Sequence, residues 1–479
     1  MKLLLLKLNS ASLLYITTLI CISFFTYKWA LAPEMTFYVD DWGWLARATF
    51  STWNSFVSIW TVLPAALFMD RPIEEMSIKF LYQIFKLNHL GFGITLLTLH
   101  TINGILIFLI GSELFKSRFY GFISSILFLI NIYISYPVWW AATIADSACL
   151  LFCLLSFLFY IKGNLRSIYL AAIFYYLATR SKEAAIPFYG ILFLYTLILE
   201  GNFKKIVDIK KSLLHALSKS SPIFVIFLII FGFASYYFIE GKLNSNDFGP
   251  YKPKFSLGTV IDGLSIYTRV LLFDIPTASN SFIAFSTALF LGILVRSRLV
   301  IFSSLSFIIA ASPVLILATQ RVPYYAYIPG PYFYFLIVAI LYFIQNKICT
   351  KKIFLNTYKI FILLSIFYFI HIVNKNEFIS KSVSELMKKN SNSLYSMRLV
   401  LNNVLNDSSI VVLGVPPGPN PFFAYAPCHA IRVVYKVKNL QCYIQEDEEV
   451  LLKKYNELKQ PKILLKNDSE GSVTLIDQQ

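Results

Sequence analysis

The segment "TLLTLHTINGILIFLIG", residues 95–111, is almost entirely apolar, and His100 is its one ionisable side chain. The apolar run around it, near 90–113, is long enough to cross the hydrocarbon core of a bilayer as a single helix. His100 and Asn103 have the spacing of neighbours on one helix face. Polar side chains within a span usually face protein or water rather than lipid. This face therefore points into a bundle, where it serves either an interhelical hydrogen bond, which we favour for Asn103, or a functional site.

Similar apolar runs recur along the whole chain. Its 479 residues are 57% hydrophobic and only 14% charged, with a mean hydropathy of +0.64. A soluble domain of this size could not bury so much apolar surface. The sequence therefore predicts a mainly α-helical, polytopic membrane protein. Eleven spans are expected, near 10–31, 90–113, 119–137, 140–161, 165–179, 184–200, 222–240, 280–295, 299–318, 331–345 and 353–373.

The distribution of charge predicts the orientation of these spans. The formal net charge is +16, which in a soluble protein would suggest a nucleic-acid partner. In a membrane protein, lysine and arginine instead accumulate in cytoplasmic loops. Most basic residues of the predicted loops fall on the side that holds Lys2 and Lys7. We therefore expect a multi-pass protein of the inner (plasma) membrane with a cytoplasmic N-terminus, an extracytoplasmic C-terminus and no nucleic-acid partner.

Two domains are predicted. Residues 1–373 form the transmembrane domain, with a first external loop at 32–89 and a second large one at 241–279. Trp53 and Trp60 occupy amphipathic stretches of the first loop, and they suit helices that lie at the membrane interface.

The C-terminal tail, residues 374–479, has a different character. "SSIVVLGV", "PKILLK" and "SVTLI" are strand candidates, and "DEEVLLKKYNELK" is a helix candidate. We expect a small extracytoplasmic α/β domain that covers the active site or binds the acceptor. Cys428 and Cys442 lie in this tail and could pair in an oxidising compartment, although sequence alone does not establish the geometry of a disulfide.

Two adjacent carboxylates follow the first span. Asp40 and Asp41 stand in "FYVDDWGWLARATF", residues 37–50, at the start of the first external loop. An acid in this position is a natural helix N-cap. It is equally suited to act as a general base. The same two carboxylates are the candidates for a divalent cation (Mg or Mn), although the sequence establishes no cofactor.

Two further charges stand out because of their surroundings. Asp146, in "WWAATIADSACLL", lies inside the fourth predicted span. A charge at mid-membrane costs roughly 2.5–3.5 kcal/mol on insertion scales, so Asp146 indicates either a water-filled cavity or a partner, or else a Ser/Asp polar contact between helices. Arg71 precedes Pro72 in the first external loop, where it is either a solvated cation before a helix start or part of a site.

Two other stretches place polar groups at the external membrane boundary. "ATRSKEAAIPF", residues 178–188, carries Arg180, Lys182 and Glu183 against the basic-inside trend. A Lys–Glu surface pair would explain two of these charges, and a lipid phosphate would explain the cations. "TQRVPYYAYIPGPY" repeats the theme, with Arg321 and Tyr324 at the external end of the ninth span.

Together these features describe an external cavity with carboxylates, cations at the depth of lipid phosphates, and helices lying on the membrane. Glycosyl transfer from a polyprenyl-phosphate sugar fits them. The acceptor hydroxyl must lose a proton, so one carboxylate serves as base. The departing phosphate needs cations where its charge develops. The expected partners are an undecaprenyl-phosphate sugar as donor, membrane lipid, and a surface glycan such as O-antigen, a lipid or a secreted protein as acceptor.

The order of the motifs resembles the GT-C superfamily of integral-membrane glycosyltransferases. The acidic pair, "RPI", "LHTIN", "YPVWW" and "SKEAAIP" follow one another as in the protein O-mannosyltransferase-like (bacterial family 39-like) branch. "SKEAAIP" has one residue fewer before its proline than the usual run, and the tail lacks tetratricopeptide repeats. The resemblance implies an inverting transfer with Asp40 as base and Asp41 as second choice. It implies donor contacts from Arg71, His100, Lys182 and Arg321, and Asn103, Asp146, Arg180, Glu183 and Tyr324 complete the candidate set.

Two other classes of protein share this build. A lipid-linked glycan flippase or other transporter also needs cations that face lipid phosphate, but its polar residues should spread through many spans. An O-antigen-type glycan polymerase has many spans and a large external loop, and its donor is a lipid-pyrophosphate oligosaccharide. The clustering of polar residues at the external face favours the glycosyltransferase.

Overall fold

The computed structural model describes residues 10–58, 60, 71–202, 206–237, 253–274, 277–348, 378–401, 409–413, 429–438, 440–443, 448–459, 461–468 and 472–478. The helices before the tail are α1 Ser10–Tyr27, α2 Asp40–Phe50, α3 Trp53–Ser58, α4 Pro72–Phe85, α5 His89–Phe115, α6 Arg118–Leu129, α7 Tyr136–Trp139, α8 Ile144–Lys162, α9 Leu165–Ser181, α10 Phe188–Leu194, α11 Ile206–Tyr237, α12 Leu257–Leu271, α13 Ala278–Leu294, α14 Arg298–Leu315 and α15 Gly330–Ile348. The tail contains α16 Phe378–Val400, β1 Ser409–Leu413, α17 His429–Tyr435, β2 Gln441–Tyr443, α18 Glu448–Glu457, β3 Lys462–Asn467 and β4 Val473–Gln478.

Length and composition identify candidate membrane spans among these helices. Six described segments are long and apolar enough to cross a membrane, namely Ser10–Leu31, His89–Phe115, Ala141–Lys162, Glu183–Glu200, Val207–Gly232 and Arg298–Leu315. Shorter apolar helices occur at α6 and α13. The predicted fold class, a mainly helical polytopic membrane protein with a small α/β tail, is confirmed. The predicted span near 353–373 lies outside the described residues.

Two predicted spans have different boundaries in the structure. The prediction of one helix over 119–137 is wrong, because α6 ends at Leu129. The Asn131 side chain accepts a hydrogen bond from the backbone N–H of Tyr133 at 3.0 Å, which turns the chain. Pro137 then lies in the first turn of α7, where a missing N–H costs no helical hydrogen bond. Residues 222–237 of the span predicted near 222–240 are part of the longer α11, and residues 238–240 lie outside the described residues.

The bundle core depends on close helix approach. α5 and α6 are antiparallel neighbours, and a Cβ atom on Gly121 would lie 2.5 Å from the carbonyl oxygen of Phe108. Only glycine allows this separation without a shift of the backbone. The side chains of this core are mostly aromatic and aliphatic, and the buried Ser125 hydroxyl donates to the Gly104 carbonyl oxygen at 2.6 Å. The helices that carry the site are therefore firmly packed.

The tail forms the predicted α/β unit. Its sheet has the strand order β2-β1-β3-β4, with β1 parallel to β2 and β3, and β4 antiparallel to β3. Every residue of β1 is buried, as expected for a central parallel strand. The predicted strands and the predicted helix at α18 are confirmed. The segment with Cys428 lies outside the described residues, so the proposed disulfide with Cys442 stays a prediction.

The tail is joined to α2, the helix that begins at Asp40. Trp42 and Leu45 of α2 belong to the same buried apolar cluster as Ile431 of α17 and Val412 of β1. The Arg432 guanidinium lies 5.2 Å from the centre of the Phe50 ring, which is within cation–π range. The α/β unit therefore packs directly on the helix that carries the acidic pair.

Candidate active site

The first feature of the site is a strained turn before α2. Val39 has φ of +34° and ψ of −99°, which is an unfavourable backbone conformation for a β-branched residue. Asp40 follows at the first position of the helix with its side chain exposed. Enough protein surrounds Asp40 that partial desolvation raises the pKa of its carboxyl above the usual value. Strain of this kind concentrates at functional sites, because the surrounding fold must hold it in place.

Asp41 is buried and engaged by the backbone. One carboxyl oxygen accepts a hydrogen bond from the N–H of Tyr38 at 2.8 Å, and the other accepts from the N–H of Ala142 at 2.6 Å. Burial raises the pKa of Asp41 to about 8, and these backbone bonds partly offset the rise. Asp41 thus ties the first external loop to the segment before α8, and Asp40 is the carboxyl that remains accessible.

Asp146 and Lys182 form an ion pair at the same end of the bundle. The Lys182 Nζ atom lies 2.8 Å from each oxygen of Asp146. Both residues are buried, with exposures of 2% for Asp146 and 8% for Lys182. The lysine ammonium also lies 5.7 Å from the ring centre of Tyr324 and 5.4 Å from that of Tyr325. The buried charge of Asp146 therefore has a cationic partner, and the partner is held between aromatic rings.

Arg71 forms a second ion pair that adjoins the first. Its Nε and Nη2 atoms donate to the two oxygens of Glu183 at 3.1 and 2.8 Å, a two-point contact. Because Lys182 and Glu183 are consecutive, one peptide bond connects the two pairs. The interpretation of Lys182 and Glu183 as a surface pair with each other is therefore wrong. Each binds a residue from another helix or loop instead.

Glu74 extends this charge network in a way that sequence reasoning missed. It is 1% exposed, and its Oε2 atom lies 3.4 Å from Nη1 of Arg71. Burial raises the pKa of Glu74 to about 7, although Arg71 lowers it. The signal in the sequence was "PIEEMSIK", in which charged residues interrupt an otherwise apolar helix face.

The neighbouring charges of α4 hold α2 in place. Lys79 Nζ donates to the carbonyl oxygens of Ala48 at 2.5 Å and Ser51 at 2.8 Å, which lie at the C-terminal end of α2. A cation at this position satisfies carbonyls that the helix leaves without partners. Glu75, also on α4, forms a 2.9 Å ion pair with Arg47 of α2. Sequence reasoning missed both contacts, which fix α2 against α4.

His100 and Asn103 converge on one hydroxyl inside the bundle. The Tyr327 hydroxyl lies 3.1 Å from His100 Nδ1 and accepts from Asn103 Nδ2 at 3.3 Å. Asn103 also donates to the carbonyl oxygen of Ser147 at 3.0 Å. The His100 ring stacks on Phe128 at 5.1 Å. These hydrogen bonds connect α5 to α8 and to the segment before α15, and a direct role toward a donor stays a prediction.

The two remaining predicted cations are Arg180 and Arg321. Arg180 is buried, and its guanidinium lies 5.8 Å from the ring centre of Trp60. Arg321 donates to the carbonyl oxygens of Ala318 at 3.2 Å and Thr259 at 2.9 Å, so it packs on α12. These contacts join Arg321 to α12 and not to the ion pairs of Arg71 and Lys182.

Aromatic rings line the region between the acidic pair and Lys182. Trp140 lies 5.4 Å from Tyr38 and 5.6 Å from Tyr324, measured between ring centres and with nearly perpendicular planes in both pairs. Tyr136 lies 5.4 Å from Tyr324. These rings are partly exposed. They form a continuous lining that the charge pattern alone did not reveal.

The described side chains also bear on the predicted divalent cation. Within those ranges, no three His, Cys, Asp or Glu residues gather as a group that could hold a metal ion. Both oxygens of Asp41 already accept backbone hydrogen bonds. Asp40 is therefore the one member of the acidic pair whose carboxyl is open to a cation, and the predicted divalent ion stays a prediction.

Comparison with known proteins gives a likeness to solved structures. No family model matches the chain, and no curated protein matches it. Among solved structures, the chain is similar to the crystal structure of ArnT from Cupriavidus metallidurans in the apo state. The two are 14% identical, with a TM-score of 0.48 over 96% of this chain and 94% of that chain. The roles of the site residues therefore rest on the contacts described above.

Proposed function

We propose that the protein is an inverting glycosyltransferase of a bacterial inner membrane. It moves a sugar from a polyprenyl phosphate to a hydroxyl group of an acceptor at the extracytoplasmic face. The observation that carries the proposal is the placement of Asp40. An accessible carboxyl on a strained turn lies at the same end of the bundle as the Arg71–Glu183 and Lys182–Asp146 pairs. Asp41 links the two parts, because Ala142, to which it bonds, is one helical turn from Asp146.

The chemistry assigns one task to each part. Asp40 removes the proton from the acceptor hydroxyl as its oxygen attacks the anomeric carbon. The bond from that carbon to the phosphate oxygen breaks, and its electron pair leaves with the lipid phosphate. The cations Arg71 and Lys182 stabilise the charge that develops there. A second carboxylic acid is not needed, because phosphate is already a good leaving group.

The carboxylate partners of the cations have a positioning task. Glu183 holds Arg71 through two hydrogen bonds, and Asp146 holds Lys182 through two more. Cations that are fixed before the donor arrives need little reorganisation during the reaction. The acceptor is a surface polysaccharide, a lipid or a secreted protein. If the enzyme uses Mg²⁺ or Mn²⁺, Asp40 is the carboxylate that would hold it.

The test compares Asp40→Asn with Asp41→Asn in cells that lack the native gene, at matched membrane levels. Mass spectrometry of surface glycans, lipids and secreted proteins should show a sugar-sized mass added by the unaltered protein and absent with Asp40→Asn. Purified protein in detergent should also release polyprenyl phosphate from a polyprenyl-phosphate sugar without any transmembrane gradient. Equal transfer by the unaltered protein and Asp40→Asn would refute the assignment, and a strict requirement for a gradient would favour a transporter.

A further inference from the structure

We propose that three rings, Tyr38, Trp140 and Tyr324, form the surface on which the sugar ring of the donor lies. This aromatic strip is a binding subsite for a pyranose or furanose ring, and the inference rests on the proposed function. It is separate from the charged groups because it would recognise the sugar and not the phosphate.

The position of the strip follows from its two ends. At one end, the ring of Tyr324 lies 5.7 Å from the ammonium of Lys182, which pairs with Asp146. At the other end, Tyr38 precedes the acidic pair, and its backbone N–H donates to Asp41 at 2.8 Å. Trp140 contacts both tyrosine rings, at 5.4 and 5.6 Å between centres. The strip therefore extends from the proposed phosphate cation, Lys182, to the chain segment that directly precedes the acidic pair.

In an inverting transfer, the sugar ring must lie between the base and the cation that holds the phosphate. The attacking oxygen and the departing phosphate lie on opposite sides of the anomeric carbon, so the ring must fit between base and cation. One face of a sugar ring presents C–H groups, which pack on aromatic rings, whereas its hydroxyls point outward to polar groups. Ligand pockets commonly combine aromatic walls with a few polar contacts in this way.

Two pairs of consecutive aromatic residues show how the strip differs from the buried core. Trp139 and Trp140 are consecutive, as are Tyr324 and Tyr325. In each pair one ring is buried, with exposures of 3% for Trp139 and 8% for Tyr325. The other ring, Trp140 or Tyr324, is partly exposed and belongs to the strip. Trp140 and Tyr324 pack against the core cluster but keep part of their surface exposed, and we assign that exposed part to the ligand.

The test measures binding to the full-length protein in lipid nanodiscs by native mass spectrometry. The probes are undecaprenyl-phosphate mannose, undecaprenyl-phosphate glucose and undecaprenyl phosphate without a sugar. Trp140→Leu should weaken binding of the preferred sugar-bearing lipid by about tenfold, the upper range for an aromatic contact, and leave binding of the sugar-free lipid unchanged. Trp140→Phe retains a ring and should retain most of the affinity. Trp53→Leu, an equal change on α3, is the matched control and should bind like the unaltered protein.

Three results would contradict the assignment of the strip as a sugar-binding subsite. These are an unchanged affinity of Trp140→Leu for the sugar-bearing lipid, an equal loss for the sugar-free lipid, or no preference of the unaltered protein for a sugar-bearing lipid. If Trp140→Leu is poorly folded by size exclusion, Tyr38→Leu takes its place with the same expectations. If binding depends on the sugar but no acceptor receives it, the subsite stands and the proposed enzymatic activity is refuted. If Trp140→Leu transfers sugar as well as the unaltered protein does, the proposed activity stands and the subsite is refuted.

Discussion

Lys182 and Asp146 form a buried ion pair in which the ammonium nitrogen lies 2.8 Å from both carboxylate oxygens. The chain offers a close counterpart at the opposite end of α8, where Lys219 Nζ lies 2.7 Å from Glu200. Each lysine is also flanked by two aromatic rings, those of Tyr324 and Tyr325 for Lys182, and those of Tyr160 and Tyr195 for Lys219. The two pairs share their chemistry, but only the first adjoins the proposed site.

The Lys219–Glu200 pair can therefore serve as the control in the first prediction, which concerns the Lys182–Asp146 pair. Removal of one partner leaves a buried charge and should destabilise the protein by about 3–5 kcal/mol, whereas replacement of both by apolar residues is often nearly neutral. The double variant Lys182→Met/Asp146→Leu should therefore regain thermal stability over Lys182→Met alone and still transfer no sugar. Lys219→Met/Glu200→Leu should transfer sugar normally. Normal transfer by the first double variant would show that its ion pair is structural only.

The second prediction concerns the two-point contact of Arg71. Lysine retains the charge but cannot donate from two nitrogens to Glu183 in the fixed geometry of a guanidinium. Loss of such charged hydrogen bonds costs about 1.5–3 kcal/mol each, so Arg71→Lys should lower kcat/KM by roughly 10- to 150-fold. Arg47→Lys, on the ion pair with Glu75 that lies away from Glu183 and Lys182, is the control and should change activity little. Equal small effects of both changes would contradict a donor-phosphate role for Arg71.

The third prediction tests the contact between the α/β tail and α2. Ile431 is fully buried in the apolar cluster that includes Trp42 and Leu45. Ile431→Ala should cost about 2–5 kcal/mol of local packing, lower the Tm of the tail, and reduce kcat because α2 is held less firmly. Tyr395→Ala on α16, with 67% of the tyrosine exposed, is the control. An unchanged kcat despite a lower Tm would make the tail a structural appendage.

The sequence predicted the fold class and the polar residues better than their pairings. Apolar runs of spanning length carry strong information about membrane helices, which is why α5 and α8 were located closely. The break at Leu129 was missed because it depends on one side chain, Asn131, that turns the chain and donates to Tyr334 at 2.7 Å. Partners distant in sequence, such as Arg71 and Glu183, follow from helix packing that no local pattern encodes. The resemblance ranked Asp40 before Asp41 as the base, and the structure adds the physical difference between them, because Asp41 is buried and Asp40 is exposed.

The last prediction uses the ionisation of Asp40. A general base acts in its deprotonated form, so kcat/KM should rise with pH until Asp40 is ionised. Partial desolvation raises the pKa of Asp40, so this rise should occur above the usual pH range of an aspartate. Asp40→Glu moves the carboxylate and should lower the plateau while a rise with pH remains. Burial raises the pKa of Asp41 to about 8, so Asp41 carries little charge where Asp40 ionises, and Asp41→Asn should leave the position of the rise nearly unchanged. The measurement is transfer by purified protein from pH 4 to 9, with unfolding monitored in parallel. A rise that disappears with Asp41→Asn and persists with Asp40→Asn would exchange the roles of the two acids.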